Sequence, residues 1–451
     1  MIIIPLILGT FLRVYKILSN YYFTGELGKE LIYVWQIILS AKFPLIGMGT
    51  SHEWLSYGPI YYWILMPIIK IFGWSPYILF WVSLVVSMGG VLITYFVFKK
   101  IIDKRFAIIL SSFISLSPIW IWAARLSKLH TFFFIFTPLI IYCLYKIWNG
   151  KNKYIFWLGI SFGALFSFHF SQIPILLVVI LMFWMKRKNL KFKNYLMFIA
   201  GLIIPNITVI THDALNGFSM IKNLLLWIPY RFAGFAGIYP KNNLNLESGT
   251  TTLSAFNEFF GRNIFWDSRL WILGSILFIT LFITILVQNR KKYSKDFFIF
   301  YIVTSTIVQC FALLIHTRPP LHYFFPIFLN FGLMFSYFAS ELWFKKSTKF
   351  MTVAIFILMF LVSVIEINKE HVNDTDYIPL TVQDGVATTI VDDAAGRAFS
   401  LERVGPYDYF PENYSQNYQF LIRSKGGSVD QSASLKYIIL EMGEVYIEKH
   451  E

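Results

Sequence analysis

Seven uncharged apolar runs, residues 76–98, 106–123, 195–211, 270–289, 297–315, 319–340 and 350–365, divide this chain of 451 residues. Each is close to the length a helix needs to cross a bilayer, about 20 residues and fewer where the helix is buried among others. The chain is 57% hydrophobic and only 14% charged, with a mean hydropathy of +0.60. Soluble domains are about 45–50% apolar and 25% charged, so a water-soluble globule is excluded. Residues 1–18 and 129–145 are shorter candidates for spans. The uncharged run 154–185 is too long for one span and carries His169 and Pro174 at its middle, which predicts a tight helical hairpin.

Charge sorts the connections. Loops 99–105, 146–153, 186–193, 290–295 and 345–349 hold 19 of the 39 basic residues and one acid, Asp103, with Asp296 just beyond. The positive-inside bias places all five in the cytoplasm, which requires 154–185 to cross twice. The expected architecture is a polytopic α-helical membrane protein of about 11 spans, residues 1–365, in the cytoplasmic membrane with its N-terminus inside. Residues 366–451 carry a net charge of −8 and the rest +22, so the basic excess is topological. It predicts contact with anionic lipid and no nucleic-acid partner. Arg13 and Lys16 sit at the outer end of the first span, where snorkelling would carry their charges to the interface. Residues 1–18 lack the basic start and small-residue cleavage site of a signal peptide.

Three segments fall on the outer side. Loop 19–75 contains an aromatic stretch, Gly58 to Pro67, too short to cross and suited to the interface. Loop 212–269 reads as an amphipathic lid containing Trp227, Tyr230 and Arg231, followed by the polar stretch Lys241-Asn242-Asn243. Residues 366–451 read as a small extracytoplasmic α/β domain, with strands at 377–382, 398–404 and 435–442 and helices at 386–395 and 414–422.

Only ten acids precede residue 366, and Glu26, Glu30 and Glu53 fall in the first outer loop. Glu26 and Glu30 are spaced to share one face of a helix, where two carboxylates can divide labour as base and pKa-raising partner. Basic residues at outer span ends run against the positive-inside bias. Arg125, Lys128 and Arg318 are therefore candidates to hold a phosphate, which guanidinium and ammonium groups clamp well. His169, His212-Asp213 and His322-Tyr323 lie at outer ends of apolar runs. No spacing supports a metal site, Cys143 and Cys310 offer no disulfide or zinc pattern, and no cofactor is required.

The order of short motifs along the chain resembles a known family. Phe23-Thr24-Gly25-Glu26-Leu27-Gly28-Lys29-Glu30 is similar to a first-loop pattern F-x-G-D-x-G-x-D. Gly58-Pro59-Ile60-Tyr61-Tyr62, Phe72-Gly73-Trp74-Ser75-Pro76, Ser117-Pro118 with Ala124-Arg125-Leu126, Gly159 and Gly163 with Phe168-His169, and His322-Tyr323 follow in the family's order. The chain thus resembles membrane glycosyltransferases of the GT-C fold, in the branch of protein O-mannosyltransferases and the lipid A aminoarabinose transferase. Glu26 replaces the family's usual Asp, and Lys128 stands where relatives often carry a neutral polar residue.

The resemblance implies transfer of one sugar, with inversion, from a polyprenyl-monophosphate donor to a lipid, glycan or protein acceptor on the outer face. Glu26 would be the general base supported by Glu30. Arg125, Lys128 and Arg318 would hold the donor phosphate. The substrate cavity would take His52, Tyr61, Tyr62, His169, Arg231, His322 and Tyr323. Two other classes remain open: an oligosaccharide polymerase or ligase with a pyrophosphate-linked donor, and a lipid or solute transporter. The transporter fits less well because the ionisable residues lie in outer loops instead of at mid-membrane.

Overall fold

The computed structural model describes residues 2–50, 52–235, 260–261, 267–315, 319–343, 346–369, 377–405, 414–441 and 444–451. Among these, seven helices are long and apolar enough to cross a membrane, or eight when the pair Lys104–Leu116 and Pro118–Arg125, bent by 56°, counts as one span. The chain is a multi-pass membrane protein. The other expected spans are shorter apolar helices, Ile3–Val14, Tyr154–Phe168 and Phe170–Met185.

Helix α1 (Ile3–Val14) opens the bundle, and after a short turn, α2 (Ile17–Asn20), the first long loop forms α3 (Gly25–Ser40) and α4 (Ile60–Phe72). Next come α5 (Ile78–Ile101), α6 (Lys104–Leu116) and α7 (Pro118–Arg125). Asp103 caps α6 by accepting from the Phe106 amide, and Pro118 forces the bend that separates α7. Arg13 does not snorkel. It is fully buried, and its guanidinium donates to the carbonyls of Gly9, Ser115 and Ile114, satisfying the end of α6 where Pro118 ends the helix.

After α8 (Phe133–Trp148), the hairpin predicted for 154–185 forms as α9 (Tyr154–Phe168) and α10 (Pro174–Met185), broken at His169 in extended backbone. Its arms are not a tight pair: α9 packs mainly on α8 and on α11 (Phe192–Ile203), whereas α10 packs on a later span. Glycines explain the choice. A Cβ on Gly159 would stand 2.3 Å from the Phe198 carbonyl oxygen, and one on Gly163 2.5 Å from that of Leu202. Small residues four apart let two membrane helices approach to backbone contact.

Helix α12 (Ile207–Leu215) completes the span that α11 begins, Phe192–Leu215, and α13 (Ser219–Phe235) follows it. Asp213 caps the following helix, accepting from the Met220 and Ile221 amides. The stretch Lys241-Asn242-Asn243 lies outside the described residues. The remaining spans are α14 (Trp271–Asn289), α15 (Phe297–Ile315), against which α10 packs, α16 (Phe325–Leu342) and α17 (Lys346–Lys369).

The tail adds α18 (Leu380–Ala394), β1 (Ser400–Val404), α19 (Gln416–Ser424), β2 (Lys436–Glu441) and β3 (Val445–His450). β1 and β2 are parallel with Ser400 opposite Lys436, and β2 and β3 antiparallel with Lys436 opposite His450. Two expectations are corrected. Residues 377–382 are no strand but lead into α18 through Pro379, and the unforeseen third strand is β3. That strand is an edge whose charged, mostly exposed side chains hide the alternation.

Candidate active site

Thr24 is extended, and the chain turns into α3 with Glu26 in its first turn, where free backbone N–H groups favour a carboxylate. Glu26 and Glu30 share a face of α3, and Gly25 and Gly28 occupy the other. The glycines serve protein packing: a Cβ on Gly28 would lie 2.4 Å from both the Asn417 nitrogen and the Gln416 oxygen of α19. Gln383 donates to the Phe23 carbonyl at 3.1 Å and is held by Asn417 at 2.9 Å. The C-terminal unit thus grips the back of the acid-bearing helix.

On the front, Glu26 forms an ion pair with Lys128. Glu30 lies deeper and accepts a hydrogen bond from the Tyr62 hydroxyl at 2.6 Å. Burial pushes the Glu30 carboxyl up to about 7; the Tyr62 bond and the charge of Lys128 pull against that shift, and Glu26 adds to it. Tyr62 is wholly buried and accepts from the Met48 amide, so it holds Glu30 from behind.

Lys128 projects from a laced turn. Ser127 before it has a left-handed backbone, φ 58°, and donates to the Arg125 carbonyl. The Thr131 hydroxyl donates to the Lys128 carbonyl at 2.7 Å, and Ser83 of α5 bonds the Ala124 carbonyl at 2.6 Å. A non-glycine residue in this strained region persists where its surroundings overdetermine it. Arg125 is buried at the same turn, and its guanidinium donates to the carbonyls of Arg13 and Tyr15, both at 3.0 Å. It bolts the end of α1.

Three histidines meet beside this turn. His322 stacks on His130 at 5.3 Å and meets His169 edge-on at 4.4 Å, with Tyr323 and Tyr57 rings 5.8 and 5.4 Å from His169. Lys128 is within electrostatic reach of His130 and His169, and Tyr57 within reach of Glu26, Glu30 and Tyr323. Burial raises the Tyr57 phenol, which stays an O–H donor. Tyr57 is set by the next residue: the Gly58 amide donates to the Ser167 carbonyl, and a Cβ there would lie 1.9 Å from the Ser167 hydroxyl.

Glu26, Glu30, Lys128, His169, His322 and Tyr323 therefore gather in one region. Tyr61 is buried beside it, packed edge-on to Tyr62 and Phe132. His52 stacks on Trp54 and meets Trp227, tying the first loop to α13. Arg318 and the Arg231 side chain lie outside the described residues. Sequence reading missed Tyr57 and His130, whose signals were adjacency to the Gly58 and Lys128 motifs. Among the described residues, no group of three or more His, Cys, Asp or Glu is arranged to hold a metal ion.

Residues 56–211 match the family model for dolichyl-phosphate-mannose-protein mannosyltransferases, a stretch that contains Tyr57, Tyr62, Lys128 and His169. No curated protein matches the chain in sequence. The fold is similar to ArnT from Cupriavidus metallidurans bound to undecaprenyl phosphate, with TM-score 0.61 and 9% identity over 97% of this chain and 92% of that one. It is also similar to the archaeal oligosaccharyltransferase AglB from Archaeoglobus fulgidus, in complex with an inhibitory peptide and a dolichol-phosphate. There the TM-score is 0.55 and the identity 13% over 87% of this chain; the chain spans 57% of that protein's length. Fold and family match together define the class: this is a protein of the GT-C fold, the fold of membrane glycosyltransferases. The resemblance carried by the loop motifs is borne out.

Proposed function

We infer that the chain is a glycosyltransferase that moves a single sugar from a polyprenyl-monophosphate carrier to a lipid, glycan or protein acceptor on the outer face of the cytoplasmic membrane. The observation that carries this reading is the Glu26–Lys128 pair beside Glu30, built on a turn that lies inside the family-matched segment. ArnT, of the same fold, was solved with undecaprenyl phosphate, which supports the choice of carrier.

In the reaction, the acceptor hydroxyl oxygen attacks the anomeric carbon and Glu26 takes its proton. The bond from that carbon to the phosphate oxygen breaks, and its electron pair leaves with the polyprenyl phosphate. A single displacement inverts the anomeric centre. The Lys128 ammonium faces the phosphate, whose charge grows as the bond breaks, and so favours the transition state over the ground state. Arg125 acts one step back, fixing the turn that carries Lys128 to the end of α1.

The test is sugar transfer by purified protein supplied with a polyprenyl-phosphate sugar. Glu26→Gln keeps the shape and removes the basicity, and is expected to lower turnover by about 10²-fold or more. Near-normal turnover in Glu26→Gln with loss in Glu30→Gln would move the base one helical turn along.

A further inference from the structure

Glu26 and Lys128 neutralise each other in the structure, yet the proposed chemistry needs both released: the carboxylate for a hydroxyl proton, the ammonium for a phosphate. Their contact is open to an incoming anion, with the Glu26 side chain 55% exposed and that of Lys128 35%. Ion pairs this exposed are weak. The backbone under Lys128 is held by the Ser127, Thr131 and Ser83 bonds, so only the four-carbon lysine stem needs to turn. Glu30, held by Tyr62, adds a second acid beside Glu26 and repels a phosphate that comes without a cation to meet it.

We propose that Lys128 changes partners during the cycle, leaving Glu26 for the phosphate of the arriving carrier, so that donor binding is what frees the base. Substrates then bind in order, carrier first, and the acceptor hydroxyl meets an unpaired carboxylate only when a donor is in place. The exchange also suits the end of the reaction. A phosphodiester becomes a monoester of higher negative charge, which holds Lys128 until the spent carrier leaves and the Glu26 pair reforms. This rests on the polyprenyl-phosphate reading above.

A double-mutant cycle on the full-length purified protein, with undecaprenyl phosphate itself as the probe, tests it. If the phosphate competes with Glu26 for Lys128, Glu26→Gln tightens lipid binding by about two- to five-fold, the range set by an exposed ion pair. In a Lys128→Met background the same change has no effect, while Lys128→Arg, which keeps the charge, restores the response. Equal tightening in both backgrounds would assign the effect to simple repulsion by Glu26 and overturn the exchange, as would no tightening in either. Failure of the folded native protein to bind the lipid at all would overturn the carrier reading, and this inference with it.

Discussion

At the residue scale, the two acids of α3 differ in surroundings more than in chemistry. Glu26 stands at the open edge against Lys128, and Glu30 is enclosed with its carboxyl raised to about 7. An ionised Glu30 makes Glu26 a stronger base, because like charge disfavours losing the proton it has just taken. Turnover should therefore rise with pH through an apparent pKa near 7, and Glu30→Gln should flatten that limb of the profile. Tyr62 donates to the carboxylate and so favours its charged form. Tyr62→Phe removes that support and should move the limb to higher pH; a shift to lower pH would show that the bond serves the neutral acid.

At the element scale, small residues decide which helices touch. Gly159, Gly163 and Gly201 bring α9 and α11 into backbone contact, and Gly28 does the same for α3 and α19. Trp35, Trp74 and Phe420 close the second of these seams, the two indoles stacked at 4.2 Å. A side chain at position 28 has nowhere to go but into the α19 backbone. Gly28→Val is expected to cost about 1–3 kcal/mol, the range for overpacking a filled interface, and to expose the C-terminal unit to protease. Gly385→Ala, inside helix α18 of the same unit, meets nothing within 4 Å and should leave the digestion pattern unchanged while adding up to about 1 kcal/mol of helix stability. Equal sensitivity of the two variants would dissociate the seam from the stability of the tail.

At the scale of the whole molecule, the candidate site lies where three parts of the chain meet. The first long loop brings the acids, the turn after α7 brings the lysine, and the ends of α9 and of the segment before α16 bring histidines. Gripping α3 from behind, the tail joins a charge-poor bundle to a unit that carries most of the acids. That arrangement requires the tail to share the side of the first loop, opposite the five basic loops. Ser347→Cys and Ser432→Cys, each exposed, should then react with an impermeant thiol reagent from opposite faces of sealed vesicles. Labelling of both from one face would refute the topology.

Hydropathy alone determined that the chain is a membrane protein and where most of its helices run, because the cost of exposing polar groups to lipid depends on local composition. The order of loop motifs also singles out Glu26, Glu30 and His169, and the positive-inside bias singles out Lys128. Other roles were decided by three-dimensional packing. Arg13, expected to snorkel, and Arg125, a candidate phosphate ligand, each fasten a helix end, because the carbonyls they satisfy belong to helices distant in sequence. Gly28 faces the backbone of α19 for the same reason. His130 was an ordinary histidine in an apolar run until the fold stacked it on His322. Spacing reports which residues share an element; what each of them touches across elements depends on which helices can approach, and that is a property of the packed molecule.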